Sequence, residues 1–593
     1  MPAMSSISTP QKIIIAGGVA GGMSCATRLR TDQQRLSEQS LITVLERGPY
    51  ISYANCGIPY ALSGVIPTDD ALHVQTPEKI TAWFNVDVKT NTELVSIDRD
   101  NKTVMVNDRV TGQKEIMPYD KLVLALGAEP ITPRGIEGAD GKQVFHLTTL
   151  EDLDGIKQYI KDEGAKTVVV IGGAFIGLEA AENLRLLGLD VSVVERLRHI
   201  FPPADGDMVY PLEKELNAHG VNLITEGTVT KVTPGEVELA SGRQIPAELV
   251  IMAAGVKARL DIPKAAGLKT GKTGLAVNEF MQTSDKDIYA VGDMVETPNL
   301  LLRGLDYPDK NKMLALAGPA NRQGRLAADH ICGKETKYRG NIGTWVCKVF
   351  GKAIGMTGLS CHQLDEVMGK DGRQDGRHDW VTVHPVNHAG YYPGSCRLTV
   401  KIHFDVKNGK LLGGQVTGPE NAGVDKQTDV LAVALTAGMT VEDLEHLELA
   451  YAPPFGSAKD AVNMAGFVAG NVLRGDVEVV HAADFAFETS KGKRKSLADY
   501  FVLDVRSPKE FENGHIDGAV NIPLGDLRKR LDEVPKHKPI ISYCQVGYRG
   551  YLGYRILKQD GYDAVNLDGG YRAVFEGGFD DGLKPVIKRW APN

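Results

Sequence analysis

Seven cysteines in 593 residues, at positions 25, 56, 332, 347, 361, 396 and 544, include no CxxC or CxxxxC pair and make an odd count. That spacing argues against a disulfide framework or a cysteine zinc site and leaves reduced thiols as the expectation. Also missing is any apolar run near the roughly 20 residues that span a bilayer. KLVLALGA and TVVVIGGAFIGLEAA are too short, or are broken by Gly and Glu, so no transmembrane helix is expected. The opening MPAMSSISTPQK has neither a long apolar stretch nor an arginine, which speaks against a secretory or transit leader and for a cytoplasmic protein. Positive charge is not in excess: 67 Lys+Arg against 75 Asp+Glu give a net charge of -8 and a pI near 6.0. Composition therefore gives no electrostatic reason to bind nucleic acid or an anionic membrane.

What is present points to several α/β domains. The chain is too long for one core, and roughly 100 to 200 residues per domain implies three to five of them. Sixty-five glycines suit many tight strand-to-helix turns. Residues 12–47 read as an apolar strand, a glycine turn, a helix and a second strand ending in an acid, a βαβ unit. Its glycines Gly17 and Gly22 let backbone N–H groups at the helix start approach a pyrophosphate, and Glu46 stands where it can accept from ribose hydroxyls. The pattern recurs in residues 167–196 with Gly172, Gly177 and Glu195. Both copies depart from G-x-G-x-x-G at the middle glycine, at Val19 and Ala174. The repeat implies two bound dinucleotides.

KLVLALGAEP, ending near Gly127, and IYAVGDMVE, around Asp293, are short β-rich runs closing on turns. The order of glycine turn, ALGA segment, second glycine turn and AVGD resembles the two-dinucleotide flavoprotein disulfide reductases over roughly residues 12–475. The resemblance implies FAD in the first site, with Asp293 on its ribityl chain, and a nicotinamide cofactor in the second. It divides the chain into a discontinuous FAD domain (1–125 and 250–334), an NAD(P)H domain (126–249) and an α+β dimerisation domain (335–475). In the last, TWVCKVFG, CRLTVKIHFD and LLGGQVTG read as strands and TDVLAVALTAG as a helix. A charged stretch, 476–497, reads as a linker containing a solvated KGKRK. The text then restarts as YFVLDVRSPKEFENGHIDGAVNIPL and PIISYCQVGYRG, which resembles a single rhodanese domain, here bounded at 498–593. The fold class expected is α/β: two Rossmann-like domains, the dimerisation domain and a C-terminal α/β rhodanese domain.

Two cysteines carry the expected chemistry. Cys544 opens the loop CQVGYR ahead of a helix, where backbone amides stabilise an anion on sulfur and cradle a persulfide. Arg549 adds positive charge, and the loop resembles that of sulfur-transferring rhodaneses, one residue shorter than in the related phosphatases. At Cys56 in YANCGIPY, the dithiol pattern of the reductases would place a second cysteine at position 61, which is alanine. Asn55 and Cys56 instead resemble the single-cysteine branch: coenzyme A disulfide reductases, NADH oxidases and peroxidases, and NADH-dependent persulfide reductases. Cys25, Cys332, Cys347, Cys361 and Cys396 read as packing or idle thiols, the last four in strand-like or loop segments. His384 and His388 are spaced i, i+4, but the intervening Pro and Asn oppose a helix, so no metal site is expected.

Within that branch, NHAGYYPG and LAYAPPFG resemble segments that reach into the partner subunit's active site. Tyr391, with Tyr392 as the alternative, and Tyr451 would steady or protonate a departing thiolate, and Phe455 is assigned to the cofactor site. Arg28, Ser52 and Lys79 fall where the resemblance places coenzyme A contacts. Glu195 favours NADH by accepting from the ribose 2'-OH, while Arg196 and Arg198 leave room for NADPH. A rhodanese makes a sulfane sulfur and a flavin-linked thiol reduces one, so fusing them concentrates the shared intermediate. The reading is a homodimeric, FAD-dependent NAD(P)H:persulfide, polysulfide or coenzyme A disulfide reductase with a sulfurtransferase domain. The alternatives are an NADH oxidase or peroxidase cycling through a cysteine sulfenic acid, and a redox or sulfide sensor.

Overall fold

The structure, a computed structural model, describes residues 10–31, 37–304, 307, 309–368, 377–486, 495–579 and 585–587. Most of the KGKRK run lies outside the described residues. The chain forms two compact units, Met1–Arg196 with Gly227–Arg303 and Pro308–Asn341, and Leu197–Glu226 with Gly304–Tyr307 and Ile342–Asn593.

The first unit builds the same device twice. Strand Lys12–Ala16 runs parallel between Leu41–Leu45 and Lys121–Leu124, with Ile288–Ala290 and Asp87–Lys89 at the two edges of that sheet. Strand Thr167–Ile171 runs parallel between Asp190–Val194 and Leu249–Met252, with Val144–Phe145 beyond. Each central strand is buried over four consecutive residues, which is why it reads as an unbroken apolar run: both faces of a parallel sheet are covered. Helix Ala20–Thr31 follows the first strand and helix Phe175–Leu186 the second. The first helix packs closely on helix Ala317–Ile331. A Cβ at Gly324 would lie 2.1 Å from the Gly21 carbonyl oxygen, so the glycine is required by backbone approach.

In the second unit the strand expectations at 344–351, 396–405 and 411–418 and the helix at 428–438 correspond to Trp345–Val349, Thr399–Asp405, Leu411–Pro419 and Val424–Ala437. The sheet is antiparallel, ordered Trp345–Val349, Lys352–Gly358, Leu411–Pro419, Thr399–Asp405, His378–Val383. Cys361 differs from expectation, since it opens the helix Cys361–Met368, its amide donating to Asp205 Oδ1 at 2.8 Å. The rhodanese-like sheet is parallel, in the order Val479–Val480, Ala564–Leu567, Ile540–Tyr543, Phe501–Asp504, Val520–Asn521. Its first strand comes from the stretch read as a linker. Two adjacent valines among charges carry no periodicity of their own, and the open edge of the sheet supplies the pairing that makes them a strand. Among the described residues no helix is long and apolar enough to cross a membrane.

Candidate active site

The two glycine turns are superposable in kind. Gly17 has φ +113° and Gly172 φ +116°. A Cβ would lie 2.1 Å from Ala125 O at the first and 2.3 Å from Ala253 O at the second. At Gly22 and Gly177 a Cβ would meet the carbonyl oxygens of Gly17 and Gly172 at 1.8 and 2.0 Å. The two acids are buried and aimed at the turns: Gly18 N donates to Glu46 Oε2 and Gly173 N to Glu195 Oε2, each at 2.8 Å. The departures at Val19 and Ala174 leave this geometry intact. Each turn thus clears space for a pyrophosphate at a helix start with a carboxylate in ribose range, and both fit a dinucleotide. Burial pushes Asp293, just after strand Ile288–Ala290, up to about 6. Gly127 holds φ +69° at the end of its segment.

Cys56 stands on the wall of the first site. Ser52 takes a left-handed φ of +46°. Its amide donates to Gly18 O at 2.9 Å and its carbonyl accepts from Val74 N at 3.0 Å, which turns the chain back over the glycine loop. The turn Asn55–Gly57 then presents Cys56 before helix Ile58–Leu62, with Asn55 Nδ2 donating to Thr148 O at 3.4 Å. Cys56 is exposed and Ala61 buried, so the position of the absent second cysteine faces the core. Helix Ile58–Leu62 packs on helix Phe175–Leu186 through Tyr60 OH to Glu179 Oε1 at 3.0 Å and Ser63 Oγ to Asn183 Oδ1 at 2.5 Å.

Protein mass around the sulfur, then the charges of Glu179 and Asp293, push the Cys56 thiol up. Sequence reading missed Glu179. The available signal was its position, two residues after the last glycine of the second turn, an acid on the helix that starts at the cofactor. Glu179→Gln removes a like charge and should move the pH midpoint of Cys56 alkylation downward. Rate measurements with iodoacetamide against pH check this, and an unmoved or raised midpoint refutes the electrostatic assignment.

The remaining expected residues divide. Arg28 is engaged by Asp329, Nε to Oδ1 at 2.7 Å, while Lys79 is exposed on helix Pro77–Phe84. In the second unit Tyr391 and Tyr451, 60 positions apart in sequence, meet OH to OH at 3.2 Å. They are 77 % and 48 % exposed, and Phe455 is 76 % exposed. His384 Nδ1 pairs with Thr399 Oγ1 and His388 Nδ1 with its neighbour's carbonyl, that of Ala389, and neither residue lies in a helix. Among the described residues no group of three or more His, Cys, Asp or Glu is placed to hold a metal ion.

Cys544, fully buried, ends strand Ile540–Tyr543 and opens a loop that enters helix Tyr548–Gln559 through Gly547, φ +96°. The loop is pinned from the first turn of helix Gly570–Glu576: Tyr571 N donates to Cys544 O at 2.8 Å and Arg572 N to Gln545 O at 3.0 Å. A Cβ at Gly570 would lie 2.5 Å from Cys544 O. The guanidinium of Arg549 forks onto Glu510 at 2.5 and 2.8 Å, and Glu510 first, then the charge of Cys544 as a thiolate, push it up. Glu510 escaped the sequence reading because its S-x-x-E setting is that of a capping box, which it also forms with Ser507.

Residues 11–324 match the family model described as pyridine nucleotide-disulphide oxidoreductase, 346–462 the dimerisation domain of the same family, and 488–576 a rhodanese-like domain. Over 461 residues the chain is 34 % identical to an NADH oxidase of Methanocaldococcus jannaschii, covering 77 % of this chain and 97 % of that one. It is 31 % identical over 460 residues to a coenzyme A disulfide reductase of Staphylococcus aureus, covering 77 % and 99 %. Among solved structures, the reduced CoADR-RHD of Bacillus anthracis aligns with a TM-score of 0.89 at 39 % identity, covering 97 % of this chain and 99 % of that one. A NAD-dependent persulfide reductase from A. fulgidus aligns with a TM-score of 0.84 at 34 % identity, covering 94 % and 99 %. The two matched glycine cradles, the single exposed cysteine beside them and these likenesses have one reading: the chain belongs to the pyridine nucleotide-disulphide oxidoreductases, flavin- and nicotinamide-dependent enzymes, and carries a rhodanese-like domain after its dimerisation domain.

Proposed function

We propose that this protein reduces coenzyme A persulfide, polysulfide or coenzyme A disulfide at Cys56 at the expense of NADH, and that Cys544 delivers sulfane sulfur to the same process. The observation that carries this is one exposed thiol on the first cradle's wall, with alanine where a second would stand, in a chain that also holds the Cys544 cradle. The Cys56 thiolate attacks the sulfur bonded to coenzyme A: the S–S bond breaks, a Cys56–coenzyme A disulfide forms, and hydrosulfide (from the persulfide) or coenzyme A thiolate (from the disulfide) leaves. FAD, when bound, supplies the electron pair, received from NADH as hydride, that reopens this disulfide.

Gly17, Gly22, Glu46, Gly127 and Asp293 would hold FAD, and Gly172, Gly177 and Glu195 the nicotinamide cofactor, with Glu195 opposing a 2'-phosphate. The paired phenols of Tyr391 and Tyr451 suit a proton donor to a leaving thiolate. In the homodimer proposed here they enter the partner's site, with Phe455 beside the cofactor. Asn55 positions the Cys56 turn. Ser52 and Lys79 would meet coenzyme A, and Arg28 would do so while shared with Asp329. A cytoplasmic location accords with reduced thiols.

The likeness to an NADH oxidase supports a second reading, oxygen reduction through a sulfenic acid; the Cys544 cradle has no part in it. Steady-state NADH turnover on coenzyme A persulfide, coenzyme A disulfide, polysulfide and oxygen separates the two. A kcat/KM for oxygen above all the sulfur substrates would overturn the proposal. Cys544→Ser should abolish sulfur transfer from a donor and leave reduction of preformed coenzyme A persulfide standing. An equal loss of both would place Cys544 inside the reductive cycle.

A further inference from the structure

The charge around Cys544 is balanced in a way that bears on its donor. Three arginines touch or flank the loop, and each has a carboxylate partner. Arg506, fully buried, is bound by Asp504 through Nε at 3.0 Å and Nη2 at 2.6 Å, and its Nη1 holds the Gln545 side chain at 2.8 Å. Arg572, whose amide pins Gln545, places Nε 2.7 Å from Glu576. Arg549, in the first turn of the helix that the Cys544 loop enters, is forked onto Glu510. Glu510 accepts in addition from Ser507 N and Oγ at 3.0 and 2.9 Å, and these contacts hold its carboxyl at about 2. It is an anion at every working pH.

We infer that Glu510 is a specificity-determining residue that turns the Cys544 cradle toward sulfane sulfur carried on a thiol, a persulfide, and away from thiosulfate. The inference rests on the reading of this domain as a sulfurtransferase. With a persulfide, the Cys544 thiolate bonds to the terminal sulfur, the bond between the two donor sulfurs breaks, and the proton passes from the transferred sulfur to the departing one: Cys544–S⁻ + R–S–SH gives Cys544–S–S⁻ + R–SH. One negative charge is present throughout. With thiosulfate the same displacement releases sulfite: Cys544–S⁻ + S–SO₃²⁻ gives Cys544–S–S⁻ + SO₃²⁻. Three negative charges must then share the cradle. Loop amides and one arginine already matched by Glu510 stabilise the first far better than the second. Like-charge juxtaposition is how a site rejects a wrong partner.

The test uses the full-length FAD-loaded protein with Glu510→Gln and Glu510→Asp, measuring kcat/KM for sulfur transfer to cyanide from glutathione persulfide and from thiosulfate. Wild type should favour the persulfide by about tenfold or more, and Glu510→Gln should shrink that ratio about tenfold, chiefly through a lower KM for thiosulfate. Glu510→Asp, which keeps the charge, should retain the preference. A wild type that uses both donors equally, or a ratio unchanged in Glu510→Gln, overturns the inference while leaving sulfur transfer intact. If neither donor leaves an added sulfur on Cys544 by mass spectrometry, the sulfurtransferase reading falls, and the inference with it.

Discussion

Cys56→Ser should bind flavin normally and still be reduced by NADH in the stopped-flow, while its steady-state turnover on coenzyme A persulfide or disulfide falls about a thousandfold or more. The exchange keeps the size of the side chain, so the Asn55–Gly57 turn and the hydrogen bonds that shape it, Ser52 N to Gly18 O and Val74 N to Ser52 O, have no reason to move. What is lost is the only atom able to form an S–S bond at that place. Within the same unit no other thiol is exposed to replace it: Ala61 faces the core, and Cys25 and Cys332 are buried, with burial pushing the Cys25 thiol far up. The cofactor cradles, built from glycines and acids elsewhere in the unit, are untouched. The prediction therefore separates two half-reactions by one atom. Persulfide reduction within about tenfold of wild type would mean that Cys56 is not the nucleophile, and slow reduction by NADH would mean that the substitution had reached the cradles.

The second large effect concerns the duplicated turn. Gly177→Ala should leave the protein yellow with bound flavin and fully reducible by dithionite, yet lower its rate of reduction by NADH about a hundredfold or more. The reason is steric: the new Cβ, whose place the backbone fixes, would lie 2.0 Å from the Gly172 carbonyl oxygen, itself a backbone atom of the turn. The helix start must shift, and with it the amides that would meet the pyrophosphate. Gly22→Ala carries the corresponding clash at 1.8 Å in the first turn and should cost the flavin itself. The pair of variants assigns the two sites independently of any resemblance. The assignment fails if Gly177→Ala loses its flavin, or if Gly22→Ala keeps it with normal affinity.

Much of this protein was legible in its sequence because the features concerned are local. A strand buried on both faces must be a continuous apolar run, and a turn whose backbone closes on itself must be glycine. Hence Gly17, Gly22, Gly172, Gly177 and their acids stand out as a repeat, and three of the five strands of the antiparallel sheet follow from alternation. The lone cysteine and the missing residue five positions on are likewise read directly, as is the CQVGYR loop before its helix. Glu179 and Glu510 are different. One is an acid on a largely buried helix, marked only by its place after the last glycine of the second turn, and the other a capping residue; neither segment says which thiol or cation the acid will face. Only the packing of helix Ile58–Leu62 on helix Phe175–Leu186 puts Glu179 beside Cys56, and only the fold of the rhodanese-like unit brings Glu510, 39 residues away, onto Arg549. The same holds for the phenols of Tyr391 and Tyr451 and for the Val479–Val480 edge strand. Sequence determined the elements and the atoms that react, since backbone geometry and bond chemistry are set within a few residues. Tertiary structure decided which charges face those atoms, because Coulomb energy depends on distance through space and burial, and neither is written along the chain.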